Sequence, residues 1–123
     1  MARLWLFLAA FFGFTGVALG AFAAHGLKKV LSPSLLAVFQ TATHYQMLHA
    51  LALFGVALLA LRGSSRLLSA AGAAFAVGVV LFSGSLYLLA LTGVGSLGMI
   101  TPLGGLAFLI GWALLGLKAW KLS

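Results

Sequence analysis

The sequence predicts an all-α integral membrane protein, an antiparallel bundle of four transmembrane helices, and three observations carry that reading. The 123 residues are 64% hydrophobic and only 6% charged. Every formal charge is positive, with seven Lys/Arg and no Asp or Glu. The apolar residues also fall into four runs of about the 20 residues that a membrane-spanning helix needs. A soluble domain keeps roughly a quarter of its residues charged, with both signs represented. The solvent of this chain is therefore lipid, and residues 1–123 make a single four-helix transmembrane domain.

The first span runs over about residues 4–24 and ends in Ala23-Ala24-His25-Gly26. Arg3 and Ala21-Phe22-Ala23 imitate a signal peptide with its cleavage site, but the apolar stretch is longer than a signal core of 7–15 residues. The second span covers about 33–61, opened by Ser32-Pro33. A hydroxyl at the N-cap followed by proline at the first helical position is a start signal, because that N–H has no intrahelical partner. A straight helix of that length reaches about 43 Å, more than the ~30 Å hydrocarbon core. The polar turn Arg62-Gly-Ser-Ser-Arg66 leads into the third span, about 67–91. The fourth, about 102–120, opens on Thr101-Pro102, a second signal of the same kind. Connectors this short make neighbouring helices antiparallel.

Lys/Arg near span ends set orientation. Arg3, Arg62, Arg66, Lys118 and Lys121 share one side, and Lys28 and Lys29 the other, which places both termini in the cytoplasm of a bacterial inner membrane. The charges are scattered between apolar runs rather than clustered among polar residues, which argues against nucleic acid as a partner. Trp120 with Lys118 and Lys121 fits the aromatic and basic belt at a membrane interface.

The absent residues exclude chemistry. Without Cys there is no disulfide, thiolate nucleophile or sulfur-ligated metal, and without carboxylates most enzyme and ion-pump mechanisms are gone. Chemistry concentrates in the second span, where Gln40, Thr41, Thr43, His44, Tyr45, Gln46 and His49 stand within ten positions. At helical spacing Gln40, Thr41, His44, Tyr45 and His49 share one half of the helix, and Thr43 and Gln46 lie on the other. The first group is expected to face the bundle, leaving Leu51, Leu53 and Phe54 freer to meet lipid or neighbours. That face either supplies interhelical hydrogen bonds or lines a polar cavity open to the outer side. His44 and His49 are five apart rather than four, and His25 could join them only across the bundle, so no metal or cofactor is expected.

In the third span Ser83-Gly84-Ser85 imitates a nucleophile site, but an activated serine needs a base held by an acid. Ser83, Ser85 and Tyr87 are instead expected to bond across an interface that Gly84 opens to a neighbouring helix. Gly16-Val-Ala-Leu-Gly20 with Gly13, then Gly72, Gly78, Gly104, Gly105 and Gly111, imply closely packed backbones, because small residues let helices approach in lipid. At the outer face, Lys28 and Lys29, His25 and the N-termini of the second and fourth helices form an anion-friendly region suited to a lipid phosphate.

Four segments together resemble a known family. They are Leu19-Gly-Ala-Phe-Ala-Ala-His-Gly26, Thr41-Ala-Thr-His-Tyr-Gln-Met-Leu-His49, Leu81-Phe-Ser-Gly-Ser-Leu-Tyr87, and Thr101-Pro-Leu-Gly-Gly105 with Phe108-Leu-Ile-Gly-Trp112. Their order and spacing are similar to the small bacterial inner-membrane proteins grouped as domain of unknown function family 423. Ala23 stands where that family's first motif usually has its second glycine. His25, Tyr45, Gln46, His49, Ser83, Ser85, Tyr87, Thr101 and Pro102 match the motif positions. The resemblance implies a multi-pass membrane protein and carries no catalytic assignment. The leading functional expectation is a non-enzymatic scaffold or accessory subunit, as a homo-oligomer or in a larger membrane complex. The alternative is a lipid- or small-molecule-binding protein or transporter that uses the polar face of the second helix. An enzyme with His acid–base chemistry ranks third.

Overall fold

A computed structural model describes residues 1–122. The first helix, Ala2–His25, is built from Leu, Ala and Phe and continues past Gly26 into the 3-10 turn Leu27–Lys29. Ser32 starts the second helix, Pro33–Arg62, by accepting a hydrogen bond from the Leu35 N–H at 3.3 Å. Gly63, at φ 150°, ends it in a conformation that a Cβ would strain.

Ser65 caps the third helix in the same way, through the Leu68 N–H at 3.1 Å. This helix runs over Arg66–Thr92 and is interrupted by a π-helical turn at Val79–Ser83. It ends at Gly93 in the left-handed conformation. The 3-10 turn Gly95–Met99 leads to the fourth helix, Thr101–Trp120. Thr101 here is the first helical residue and not a cap, because its hydroxyl is committed elsewhere. All four helices are long and apolar enough to cross a membrane.

Contacts rise on one helix as they fall on the next. Leu6 lies with Phe54, and Gly13 with Met47. Phe39 touches Tyr87, and His49 touches Phe75. Gly111 faces Phe75, and Gly104 faces Phe82. Sequential helices therefore run in opposite directions, consistent with an antiparallel bundle.

Aromatic rings seat on glycines, and this sets how closely the helices approach. A Cβ on Gly72 would lie 2.8 Å from the Trp5 ring, and one on Gly111 2.6 Å from Phe75. Gly78 gives way to Phe108, and Gly104 to the backbone of Phe82 inside the π turn. Where lipid is as apolar as the side chains, such packing replaces the hydrophobic effect as the force between helices. Gly84 does not serve as expected, since a Cβ there would meet nothing within 4 Å.

Two apolar cores result. The larger holds Trp5, Phe12, Leu53, Val56, Leu68, Phe75 and Phe108, and the smaller holds Ala23, Leu27, Phe39 and Ala90. A polar layer lies between them.

Candidate functional site

The polar layer is centred on Gln46, which is 3% exposed. Its Nε2 donates to the Phe12 carbonyl at 2.9 Å and to Thr15 Oγ1 at 2.7 Å, both on the first helix. Its Oε1 accepts from the Tyr87 hydroxyl on the third. One amide thus joins three helices with three of its four hydrogen-bonding positions used. Gly16 makes room for it: a Cβ there would lie 2.5 Å from Met47 Sδ and 3.5 Å from Gln46 Nε2.

Ser83, fully buried, donates to the Ala42 carbonyl at 2.8 Å and ties the third helix to the second. Ser85 donates to Phe82 O at 2.9 Å, and its oxygen lies 2.6 Å from Thr101 Oγ1. A hydroxyl has one proton to give, so Thr101 is the donor in that pair and joins the fourth helix to the third.

His49 is 4% exposed and is tied at both ring nitrogens. Trp112 Nε1, which can only donate, lies 3.1 Å from His49 Nε2. Nε2 must therefore be bare, and the proton sits on Nδ1, 2.8 Å from the Tyr45 carbonyl. The imidazole stacks on Phe108 with ring centroids 3.6 Å apart and planes at 7°. Phe75, Tyr45 and Trp112 complete a ring cluster around it. A bare Nε2 already engaged by an indole is not free to take a metal or relay a proton.

The expected facing of the second helix is only partly met, and the rest is a correction. Gln40, Thr41 and His44 are exposed, and Tyr45 is 38% exposed while packing on Phe82 and Phe108. Thr43 and Gln46, expected on the other half, are buried. Leu53 is fully buried, whereas Leu51 and Phe54 do face outward. The buried stripe follows Phe39, Ala42, Ala50, Leu53 and Ala57, whose apolar side chains fit against neighbours, and Gln46 lies in line with them. Gln40 and Thr41 stand level with the start of the fourth helix, since Ser83 reaches Ala42 and Ser85 reaches Thr101 two residues further on. Near a span end polar groups meet headgroups and water rather than acyl chains.

His25, Lys28 and Lys29 are exposed on the first connector and its flank. The three histidines do not converge, and among the described residues no three His, Cys, Asp or Glu side chains gather as a metal site would need. Among the described residues every buried side-chain nitrogen and oxygen has a partner. Two participants escape a sequence reading. Thr15 is the one hydroxyl of the first helix, a signal in hindsight. Trp112 sits eight residues before Trp120, two turns inside the belt formed by Trp120, Lys118 and Lys121.

Comparison with known proteins finds relatives described as membrane proteins. Residues 19–105 match the model of a family described as "Protein of unknown function (DUF423)". A membrane protein of Bacillus subtilis, YwdK of the group UPF0382, is 46% identical over 97% of this chain and 98% of its own length. A Haemophilus influenzae membrane protein of that group is 44% identical over 98% and 97%. The Escherichia coli inner membrane protein YgdD is 43% identical over 99% and 93%. No solved structure matches.

Proposed function

Because this chain belongs to the DUF423 family of membrane proteins, we propose that it works as a non-enzymatic scaffold or accessory subunit of the bacterial inner membrane, with both termini in the cytoplasm. The observation that carries this reading is the use made of the buried polar groups. Gln46, His49, Ser83 and Ser85 are all spent on holding helices to one another. Their alternative role, lining a hydrated cavity for a ligand or transport path, would leave polar atoms aimed into open space. What remains for interaction is the outside: the lipid-facing helix surfaces, the exposed Gln40, Thr41 and His44, and the basic cytoplasmic rim. Partners are membrane lipid and either further copies of the chain or a larger membrane complex, and nucleic acid has no place in the reading.

The test is the assembly state in the native membrane. Polymer-extracted native nanodiscs, taken at chromosomal expression level, are sized by mass photometry after single-step affinity capture. A defined stoichiometric particle containing several copies or a fixed second subunit supports the reading. A lone 12.7-kDa chain surrounded only by lipid refutes it.

A further inference from the structure

The flank where the first and second helices meet carries a continuous apolar groove that takes no part in the polar layer. Its inner stretch, lined by Leu6, Ala10, Gly13, Met47 and Phe54, measures about 270 Å³. The next stretch shares Leu6 and Phe54, measures about 340 Å³, and runs past Leu61 to Arg3. Met47, seated against Gly16, closes the inner end. Arg3 stands exposed at the mouth, with Leu58 and Leu61 from the last turns of the second helix.

The dimensions select the occupant. Ten residues separate Arg3 from Gly13, a rise of about 15 Å along a helix. That is half of a hydrocarbon core about 30 Å thick, so the groove is one leaflet deep. It is apolar from mid-bilayer to the interface and cationic where headgroups lie.

Charge argues against a second copy of this chain in the same place. The sequence has no Asp or Glu, so a symmetric partner would bring Arg3 against more cations. A phosphate diester answers that charge, and its acyl chain fills the rest. The geometry points to a binding site for one acyl chain of an anionic phospholipid, with the chain in the groove and the phosphate at Arg3. This site stands whether or not the bundle has a protein partner on another face.

The glycine at the inner end provides a clean test. A Cβ on Gly13 would meet nothing within 4 Å, so the side chain of Gly13→Leu enters the groove without a clash at its base. The protein is reconstituted in vesicles of equimolar phosphatidylglycerol and phosphatidylcholine with matched chains, and retained lipid is read by native mass spectrometry. The parent is expected to keep one phosphatidylglycerol with several-fold preference. Gly13→Leu is expected to lose retained lipid of either kind several-fold. Arg3→Gln is expected to keep a lipid but lose the preference. Ala10→Leu repeats the filling experiment if circular dichroism shows that Gly13→Leu has lost helix. Parent-level retention in a folded filling variant overturns the site, and an unchanged preference in Arg3→Gln overturns the phosphate contact. A dimer that excludes lipid from the groove overturns both.

Discussion

Replacing Gln46 with leucine keeps a branched side chain, one carbon shorter, while removing the amide that links the first three helices. The structure allows the loss to be apportioned. Three hydrogen bonds disappear, to the Phe12 carbonyl, to Thr15 Oγ1 and to the Tyr87 hydroxyl. Interhelical hydrogen bonds in membrane proteins average about 0.6 kcal/mol, with a ceiling near 1.7, so Gln46→Leu should cost about 2 kcal/mol. Thr15 falls back on its own helix, where it already donates to the Phe11 carbonyl at 2.8 Å. Tyr87 has no such second partner. Tyr87→Phe alone should therefore cost about 0.6 kcal/mol, and almost nothing once leucine stands at 46.

The double-mutant cycle then returns a coupling of about 0.6 kcal/mol. Reversible unfolding by SDS in mixed micelles, followed by energy transfer between labels on the first and second helices, gives each free energy. Two results would refute the reasoning. One is Gln46→Leu within about 0.3 kcal/mol of the parent, and the other is a double variant additive to the same tolerance.

Further expectations follow from the same geometry. Gly104→Ala should destabilise by about 1–3 kcal/mol in that assay, because its Cβ meets the Phe82 backbone, which cannot swing aside. Gly84→Ala, whose Cβ meets nothing, should be neutral or stabilise by up to about 1 kcal/mol, and equal losses at the two glycines would contradict the packing described. Nitrogen-15 NMR of His49 should show a protonated Nδ1 and a bare Nε2, a pattern that the opposite tautomer would exclude. Reporter fusions at the C-terminus should be active only on the cytoplasmic side, and activity solely on the outer side would reverse the proposed topology.

The four helices were legible because hydropathy in lipid is a property of whole runs, and errors at single residues average out. Ser32 and Ser65 show how far local chemistry carries: each hydroxyl reaches the N–H three residues on. The orientation of the second helix was less legible, for a physical reason. The sequence groups Gln40, Thr41, His44, Tyr45 and His49 on an inward half and leaves Thr43 and Gln46 on the other, but two criteria act on these residues separately. Gln46 is buried because it lies on the stripe of Phe39, Ala42, Ala50 and Leu53, and it finds three partners there. Gln40, Thr41 and His44 lie off that stripe, and the first two stand level with the start of the fourth helix. Extending the spacing of Leu53, Ala57 and Ala60 backwards along the chain reaches Gln46, so the signal was present in the small residues and not in the polar ones. Trp112 illustrates the opposite limit. Its indole finds His49 from another helix, 63 positions away in sequence, a pairing that no local pattern encodes.

The π turn at Val79–Ser83 is, in effect, an α-helix carrying one surplus residue. Each residue turns the helix by about 100°, so the segments on either side of the turn are out of phase with each other. Before it, Phe75 and Gly78 are aimed at the fourth helix; beyond it, Tyr87 is aimed at Gln46 of the second. An uninterrupted helix of the same composition could not hold Gly78 against Phe108 and Tyr87 against Gln46 at once. Residue count therefore matters here as much as residue type. Losing a single codon between Val79 and Ser83 would give a more regular helix and a disconnected bundle, while many side-chain exchanges on the lipid-facing surface would leave the assembly of helices unchanged.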